Sequence, residues 1–244
     1  MPNWCQNRLE IDGPKEAVAK IVKACRLQEG EFDLNGVVPM PPELDITSGS
    51  AVSWGFDILY GDWQRVFGLP WLRDLLLEIT GGYLPENRDE LIRLIETEKC
   101  MYGAAHRCSL DFISLREARQ AKANLERFGF KDWYDWRIAN WGTKWNVGKD
   151  VDIDNLSECN ITLSFDTAWS PPVPVVAALC EQYPEIAATL RYIETGCWFA
   201  GTVDGANGVI SDYPADDVRA FGEDFFGMEF DDEEDETEEE EAAA

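Results

Sequence analysis

One short segment limits the possible folds of this chain more than any other. Residues 159–166 read C-N-I-T-L-S-F-D, and apolar side chains alternate strictly with polar ones. Because successive side chains of a β-strand point to opposite faces, this pattern predicts a strand with one buried face. The other elements can be assigned relative to this strand.

The first part of the chain shows the order strand, helix, strand. Residues 4–11 alternate in part, and Asp12-Gly13-Pro14 ends this stretch with a turn. Apolar residues then recur at helical spacing between residues 15 and 27. Residues 32–38 read as a second strand, since the prolines that follow cannot continue a ladder of backbone hydrogen bonds.

The remaining segments complete an α+β pattern. Between residues 43 and 115 we expect a mostly helical insertion, with helices at 69–80 and 87–102. After the insertion, the sequence predicts a helix at 115–128, a strand at 133–139, the strand at 159–166, a helix at 175–182, a hairpin of 188–194 with 197–204, and an edge strand at 209–213.

The acidic residues are unevenly distributed. The chain has 47 Asp and Glu against 21 Lys and Arg, a formal net charge of −26. Thirteen of the acids lie between residues 223 and 241, so 34 remain in the rest of the chain. Like charges at this density repel one another, so we expect residues 214–244 to form a disordered tail. The tail either only keeps the protein soluble or engages a basic groove of a partner. In the second case the acids that contact the partner are Asp231, Asp232, Glu233, Glu234, Asp235 and Glu236.

This charge argues against DNA, RNA and anionic lipid as direct ligands, because those ligands require clustered Lys and Arg. We expect instead a protein partner with a basic surface. If the chain imitates DNA, it also needs acids fixed on its folded part, because a disordered tail cannot copy the spacing of DNA phosphates by itself. No apolar run approaches the roughly 18 residues that a membrane helix requires. Seven single cysteines and an N-terminus without signal-peptide features indicate a reduced, cytoplasmic protein.

No catalytic or metal-binding signature is present in the sequence. A cysteine nucleophile needs an adjacent base, and the chain has one histidine, His106. The acids Asp150, Asp152 and Asp154 alternate, but the glycine and final glutamate of a calcium loop are missing, so we read a solvated loop. There is no C-x-x-C pair, Walker loop or G-x-G-x-x-G. The sequence therefore favours a non-enzymatic protein that holds neither metal nor cofactor.

A tryptophan-rich loop is the main candidate for a binding site. Residues 140–145 read N-W-G-T-K-W, which offers an amide, two flat apolar faces and one cation. Such groups suit a base, a peptide carboxylate or a sugar face. The candidate residues lie in this loop, at the first strand or around the end of the 159–166 strand; they are Asn3, Trp4, Asn140, Trp141, Lys144, Trp145, Asp166 and Trp169. The alternative is that the tryptophans hold the loop against a sheet and that Gly142 only supplies a turn.

Four stretches carry a resemblance to a known family. They are M-P-N-W-C at residues 1–5 with Asn7, V-V-P-M-P at 37–41, N-W-G-T-K-W at 140–145 and F-D-T-A-W-S-P-P at 165–172. Together they resemble the YubB-type family of plasmid and phage proteins with a ferredoxin-like domain, over about residues 1–213. The resemblance implies a βαββαβ-type antiparallel sheet with helices on one face, and it implies no iron–sulfur cluster.

Two hypotheses about function follow. The first is a non-enzymatic accessory protein of a phage or plasmid that binds and modulates a host protein in the host cytoplasm, for example a DNA-handling or defence factor. The resemblance and the acidity support it. The second is a small-molecule- or peptide-binding module, or an enzyme, that uses the loop at 140–145 with Asp166 and Trp169.

Overall fold

The computed structural model describes residues 3–102 and 110–230, apart from the side chains of 98–102 and 111. The chain divides into two compact units. Met1–Pro39 and Arg137–Ala244 form the first, which we call the sheet unit, and Met40–Trp136 forms the second, which we call the helical unit. His106, Cys108 and the six acids at 231–236 lie outside the described residues.

In the described part of the chain, the sheet unit contains one antiparallel sheet with the strand order β2-β3-β1-β4-β5-β6. Its strands are β1 (Trp4–Asp12), β2 (Val151–Leu156), β3 (Asn160–Ala168), β4 (Ala187–Glu194), β5 (Phe199–Ala206) and β6 (Val209–Pro214). The central strand β1 places Leu9 opposite Leu163 of β3 and Leu190 of β4, and all three side chains are fully buried. The predicted α+β class with an antiparallel sheet is confirmed.

The helices within the described ranges are α1 (Lys15–Ala24), α2 (Ser50–Tyr60), α3 (Trp63–Phe67), α4 (Pro70–Thr80), α5 (Arg88–Tyr102), α6 (Leu115–Phe128), α7 (Trp133–Trp141), α8 (Val173–Gln182) and α9 (Val218–Phe226). No helix among these residues is long and apolar enough to cross a membrane. The helical unit forms its own core, in which Ile58, Leu72, Leu76 and Leu91 are fully buried.

One face of the sheet is apolar and packs against α8. Alternate residues of β1 are buried on this face, and Ile11 lies opposite Ala188, which in turn lies opposite Gly205. A Cβ atom at Gly205 would collide with the sulfur of Cys180 in α8, so this glycine permits the close approach of helix and sheet.

Helix α9 lies against the opposite face. A Cβ atom at Gly222 would come within 2.9 Å of Ile193 Cδ1, and the Arg191 guanidinium lies 5.0 Å from the centre of the Phe225 ring. Arg191 and Ile193 alternate with the residues that face α8. Helices therefore cover both faces, and the expectation that they lie on one face is wrong. The helix falls inside the interval expected to be a disordered tail, and the Asp217 side chain caps it by accepting from Ala220 N.

Two predicted strands are wrong and one strand was missed. Within residues 32–38, Leu34–Gly36 forms one turn of 3₁₀ helix, because the Asp33 side chain accepts a hydrogen bond from Asn35 N. Residues 133–139 belong to helix α7. Strand β2 forms where a solvated loop was expected. It is an edge strand with half-buried Val151 and Ile153, so its aspartates remain at the surface.

Candidate binding site at one end of the sheet

Three distant parts of the chain meet at one end of the sheet. Trp4 starts β1 and pairs with Ala168, the last residue of β3, so Trp4 and Trp169 lie at the same end. The Trp169 amide donates a hydrogen bond to the Asn3 carbonyl at 2.9 Å. The turn between β4 and β5 also reaches this end, where Asn3 Nδ2 lies 3.5 Å from Cys197 Sγ.

The loop after α7 is fixed to the end of β3 by its own side chains. The buried Thr143 hydroxyl donates to the Ala168 carbonyl and accepts from the Ala168 amide, at 3.2 and 3.0 Å. Gly142 has a φ of +80°, and a Cβ atom there would lie 2.8 Å from both Pro171 O and Pro174 Cδ. The loop therefore requires glycine at this position, and its attachment determines where the next side chains, Lys144 and Trp145, are placed.

The two tryptophans of this loop have different roles. Trp141 is fully buried, and its indole N–H donates to the Val38 carbonyl at 2.8 Å. The Arg137 guanidinium lies 5.0 Å from its ring centre. Trp141 thus holds the fold, as the structural alternative in the sequence analysis proposed. Asn140 is half-buried at the end of α7 and does not line the cleft described below.

Trp4, Lys144, Trp145 and Trp169 form a surface that we call the tryptophan surface. Trp4 is 48% exposed, Trp145 is 37% exposed and Trp169 is 39% exposed. The ring centres of Trp4 and Trp145 are 5.8 Å apart. The Lys144 ammonium lies 4.6 Å from the Trp145 ring centre and 5.0 Å from that of Trp169. Lys144 therefore joins two of the rings. Of the tryptophans in the second hypothesis, Trp145 and Trp169 belong to this surface and Trp141 does not.

Trp169 has an unusual backbone conformation. Its φ is +72°, a region that bulky residues rarely adopt. Two hydrogen bonds hold this conformation. The Trp169 amide donates to the Asn3 carbonyl, and the Thr167 hydroxyl donates to the Ser170 carbonyl at 2.8 Å. Such strain costs on the order of 1–3 kcal/mol and persists where the surroundings enforce it, often at functional sites. Here it keeps a large ring half-exposed beside Lys144.

Next to this surface lies a cleft of about 310 Å³, which we call the tryptophan cleft. Trp4 and Trp145 line it together with the carboxylates of Asp150 and Asp166. Partial burial raises the pKa of Asp166 above its usual value. Asn146, also at the wall, is fixed in place because its amide donates to Asp33 Oδ1 at 2.7 Å.

Sequence reasoning missed Asn146 and Asp150 as parts of this site. Asp150 was read as part of a solvated loop, and the only signal for it was its position five residues after Trp145. Its place in one cleft with Trp4 depends on the pairing of β2 with β3 and of β3 with β1, which the local sequence does not contain.

Behind the cleft lies a buried polar network that explains the N-terminal motif. The Asn7 amide donates to the Cys5 carbonyl and to the Thr167 hydroxyl, both at 2.8 Å. Burial, together with the charge of Glu194, raises the pKa of Cys5 to about 12, so its thiol stays protonated at neutral pH. Cys5 is therefore a packing residue and a poor nucleophile.

The cleft has the composition of a site for a cation. An indole face attracts a guanidinium or ammonium group, and a carboxylate can pair with the same group. The two carboxylates oppose an anionic ligand, which removes the peptide carboxylate from the ligands considered above. Across the described ranges, no group of three or more His, Cys, Asp or Glu side chains is placed to hold a metal ion.

Over residues 3–102 and 110–230, fold and site together define an α+β protein with a six-stranded antiparallel sheet and an aromatic, acidic cleft at one end of it. Residues 140–242 match a family model described as "Ferredoxin-like domain in Api92-like protein". The matched interval contains Lys144, Trp145, Asp150, Asp166 and Trp169, and every strand of the sheet except β1.

The crystal structure of the protein api92 from Yersinia pseudotuberculosis aligns with 89% of this chain and 100% of that chain. The sequence identity is 16% and the TM-score is 0.39. No curated protein has significant sequence similarity to the chain.

Proposed function

We propose that this protein is a non-enzymatic binding module and that its tryptophan cleft recognises a basic side chain of a partner protein. The observation that carries the proposal is the pairing of two indoles, Trp4 and Trp145, with two carboxylates, Asp150 and Asp166, around one cleft. A cation–π contact contributes about 0.5–1 kcal/mol when exposed and about 2 kcal/mol when desolvated. Tryptophan is also enriched among the residues that dominate binding energy at interfaces.

The charge of the whole chain supports a basic partner. At a formal net charge of −26, the protein attracts cationic surfaces over a distance of about a Debye length, which is near 8 Å at physiological salt. The acids from Asp231 to Glu236 add to this attraction in the proposal, and the cleft supplies the specific contact. The long-range charge then mainly raises the rate at which the two proteins meet. The cleft determines which side chain is bound.

We further propose that the partner is a host protein and that this chain is an accessory protein of a plasmid or phage, acting in the host cytoplasm. The resemblance to the YubB-type family supports this origin. A DNA-handling or defence factor fits the chemistry, because proteins that bind nucleic acid carry clustered Lys and Arg.

A second candidate function is the binding of a small cationic molecule in the same cleft. The volume of about 310 Å³ favours it, since small-molecule sites start near 300 Å³. A small ligand would use Trp4, Trp145 and the two carboxylates in the same way. The two candidate functions differ only in whether the bound cation belongs to a protein chain or to a free small molecule.

The test is a titration of the full-length protein with a tri-arginine peptide at 150 mM salt, followed by calorimetry. We expect binding of tri-arginine, no binding of tri-glutamate, and an affinity about tenfold lower for Trp145→Ala, which corresponds to about 1.4 kcal/mol. Trp198→Ala is the matched control, because Trp198 is 49% exposed but does not line the cleft. Both variants keep the net charge, so non-specific attraction is the same in each.

Far-UV circular dichroism shows whether the variants are folded. If folded Trp145→Ala and Trp198→Ala bind tri-arginine equally well, the cleft is not the site. Asp166→Asn provides a second variant should Trp145→Ala fail to fold. Free arginine methyl ester separates the two candidate functions, since a small-molecule site would bind it as tightly as the peptide.

A further inference from the structure

A second groove lies directly beside the tryptophan cleft. Its volume is about 330 Å³, and it shares Asp150 and Asp166 with the cleft. Beyond these two carboxylates it is lined by Arg8, Asp152, Phe225 and Phe226, among others. We call it the α9 groove, because both phenylalanines belong to the end of that helix.

The cleft and the α9 groove follow one face of β1. Trp4 lines the cleft, while Gln6 and Arg8 line the groove. These three residues alternate along the strand and therefore share a face, and Gln6 lies directly opposite the shared residue Asp166. At about 3.3 Å per residue, the four-residue step from Trp4 to Arg8 covers about 13 Å.

The walls of the groove combine negative charge with apolar surface. Asp150, Asp152 and Asp166 contribute three carboxylates, while the one basic residue at the wall, Arg8, is paired with Glu10 at 3.2 Å. Phe225 is 44% exposed although it already contacts Arg191. An occupant that matches these walls carries positive charge over the carboxylates and an apolar group against the phenylalanines.

We infer that the α9 groove is a second subsite of the same binding site, and that the ligand is an extended peptide with a basic side chain in the cleft and an apolar side chain in the groove. This inference rests on the proposed function. The two side chains are placed four positions apart, because a step of four covers about 13 Å, the length of wall from Trp4 to Arg8, and returns to the same side of an extended chain. A step of three points the second side chain away from the groove.

Four peptides test this spacing on the unmodified full-length protein: Arg-Ser-Ser-Ser-Leu, its reverse Leu-Ser-Ser-Ser-Arg, Arg-Ser-Ser-Leu-Ser, and Arg-Ser-Ser-Ser-Ser, all with blocked ends. We expect one of the first two to bind about five- to tenfold more tightly than the last, as partial burial of a leucine side chain provides. The peptide with the step of three gains nothing. The difference between the first two peptides reports the direction of the bound chain.

A variant then shows which part of the protein provides the higher affinity for the leucine peptide. Phe225→Ala is expected to remove the advantage of the leucine peptide and to leave the affinity for Arg-Ser-Ser-Ser-Ser unchanged. Tyr213→Ala is the matched control, since Tyr213 is an exposed aromatic residue of β6 outside the groove.

The outcomes separate the two proposals. Equal affinity for all four peptides, with the Trp145→Ala effect intact, overturns the second subsite and leaves the cleft as the site. An advantage of leucine at both spacings, or one that survives in Phe225→Ala, also overturns it. If no arginine peptide binds to the unmodified protein, the proposed function fails, and this inference fails with it.

Discussion

Trp141 and Trp145 show how far a single residue can be interpreted from its neighbours. They are four residues apart with similar surroundings in the sequence, yet Trp141 is fully buried and hydrogen-bonded to the Val38 carbonyl, while Trp145 is half-exposed at the cleft. The difference arises because Trp141 is the last residue of α7 and Trp145 follows the turn at Gly142. The sequence could predict that the loop matters, but it could not assign a role to each ring.

Asp166 gives the site a dependence on pH at the level of one residue. Partial burial raises its pKa above the ordinary value of 3.8, so its carboxylate takes up a proton at a higher pH than a solvated aspartate does. As the pH falls through this raised pKa, the cleft loses one of its two charges. We therefore expect the affinity for tri-arginine to decrease as the pH is lowered from neutral through this raised pKa.

The effect of Asp166 on stability has the opposite sign to that of a salt-bridged aspartate. Because the folded pKa is raised, ionisation of Asp166 costs folding free energy at neutral pH, and this cost disappears as the pH falls through the folded pKa. The cost is small, because Asp166 is exposed to solvent. Asp166→Asn should therefore be at least as stable as the unmodified protein at pH 7 while binding tri-arginine more weakly and with a flatter pH profile. A profile as steep as that of the unmodified protein would show that another group controls the binding.

At the scale of elements, the segments with clear alternation were predictable and those determined by tertiary contacts were not. β1, β3 and the β4–β5 hairpin follow the strand pattern of their sequences. Residues 133–139 are rich in aromatic residues that favour strands, but the Asp132 side chain accepts a hydrogen bond from Tyr134 N and starts a helix. Helix α9 was hidden by the acidic composition around it, although Asp217 and the phenylalanines provide a cap and an apolar side.

The loop that carries Lys144 and Trp145 depends on Gly142. In Gly142→Ala, the new Cβ atom meets Pro171 O and Pro174 Cδ at 2.8 Å while φ remains at +80°. We expect the free energy of unfolding to fall by at least about 1 kcal/mol and the affinity for tri-arginine to fall with it, because Trp145 shifts. Urea denaturation and calorimetry measure the two effects.

Gly30→Ala is a suitable control for this prediction. Gly30 also has a positive φ, +73°, but a Cβ atom there has no other heavy atom within 4 Å. Gly30→Ala should therefore lose some stability through backbone strain but keep its affinity for tri-arginine. Equal losses of stability and affinity in both variants would contradict the role assigned to the contacts of Gly142.

At the scale of the whole molecule, the site is a product of chain topology. Trp4 and Trp145 are far apart in sequence, and their rings meet only because β1 lies beside β3 at the centre of the sheet. All residues of the cleft and of the α9 groove belong to the sheet unit, and the helical unit contributes none of them. Sequence motifs identified the loop, Asp166 and Trp169 as candidates, but the second carboxylate and the groove required the fold.

In the proposed function, Trp4 and Trp145 bind a cation at the end of the sheet. The most direct measurement records the indole N–H signals of the ten tryptophans in a ¹⁵N-labelled sample while tri-arginine is added. We predict that the signals of Trp4 and Trp145 shift most and saturate together, while those of Trp198 and of Trp54, Trp63 and Trp71 in the helical unit stay in place. Saturation with the largest shifts at Trp198 or in the helical unit, or no shift at any indole, would contradict the account.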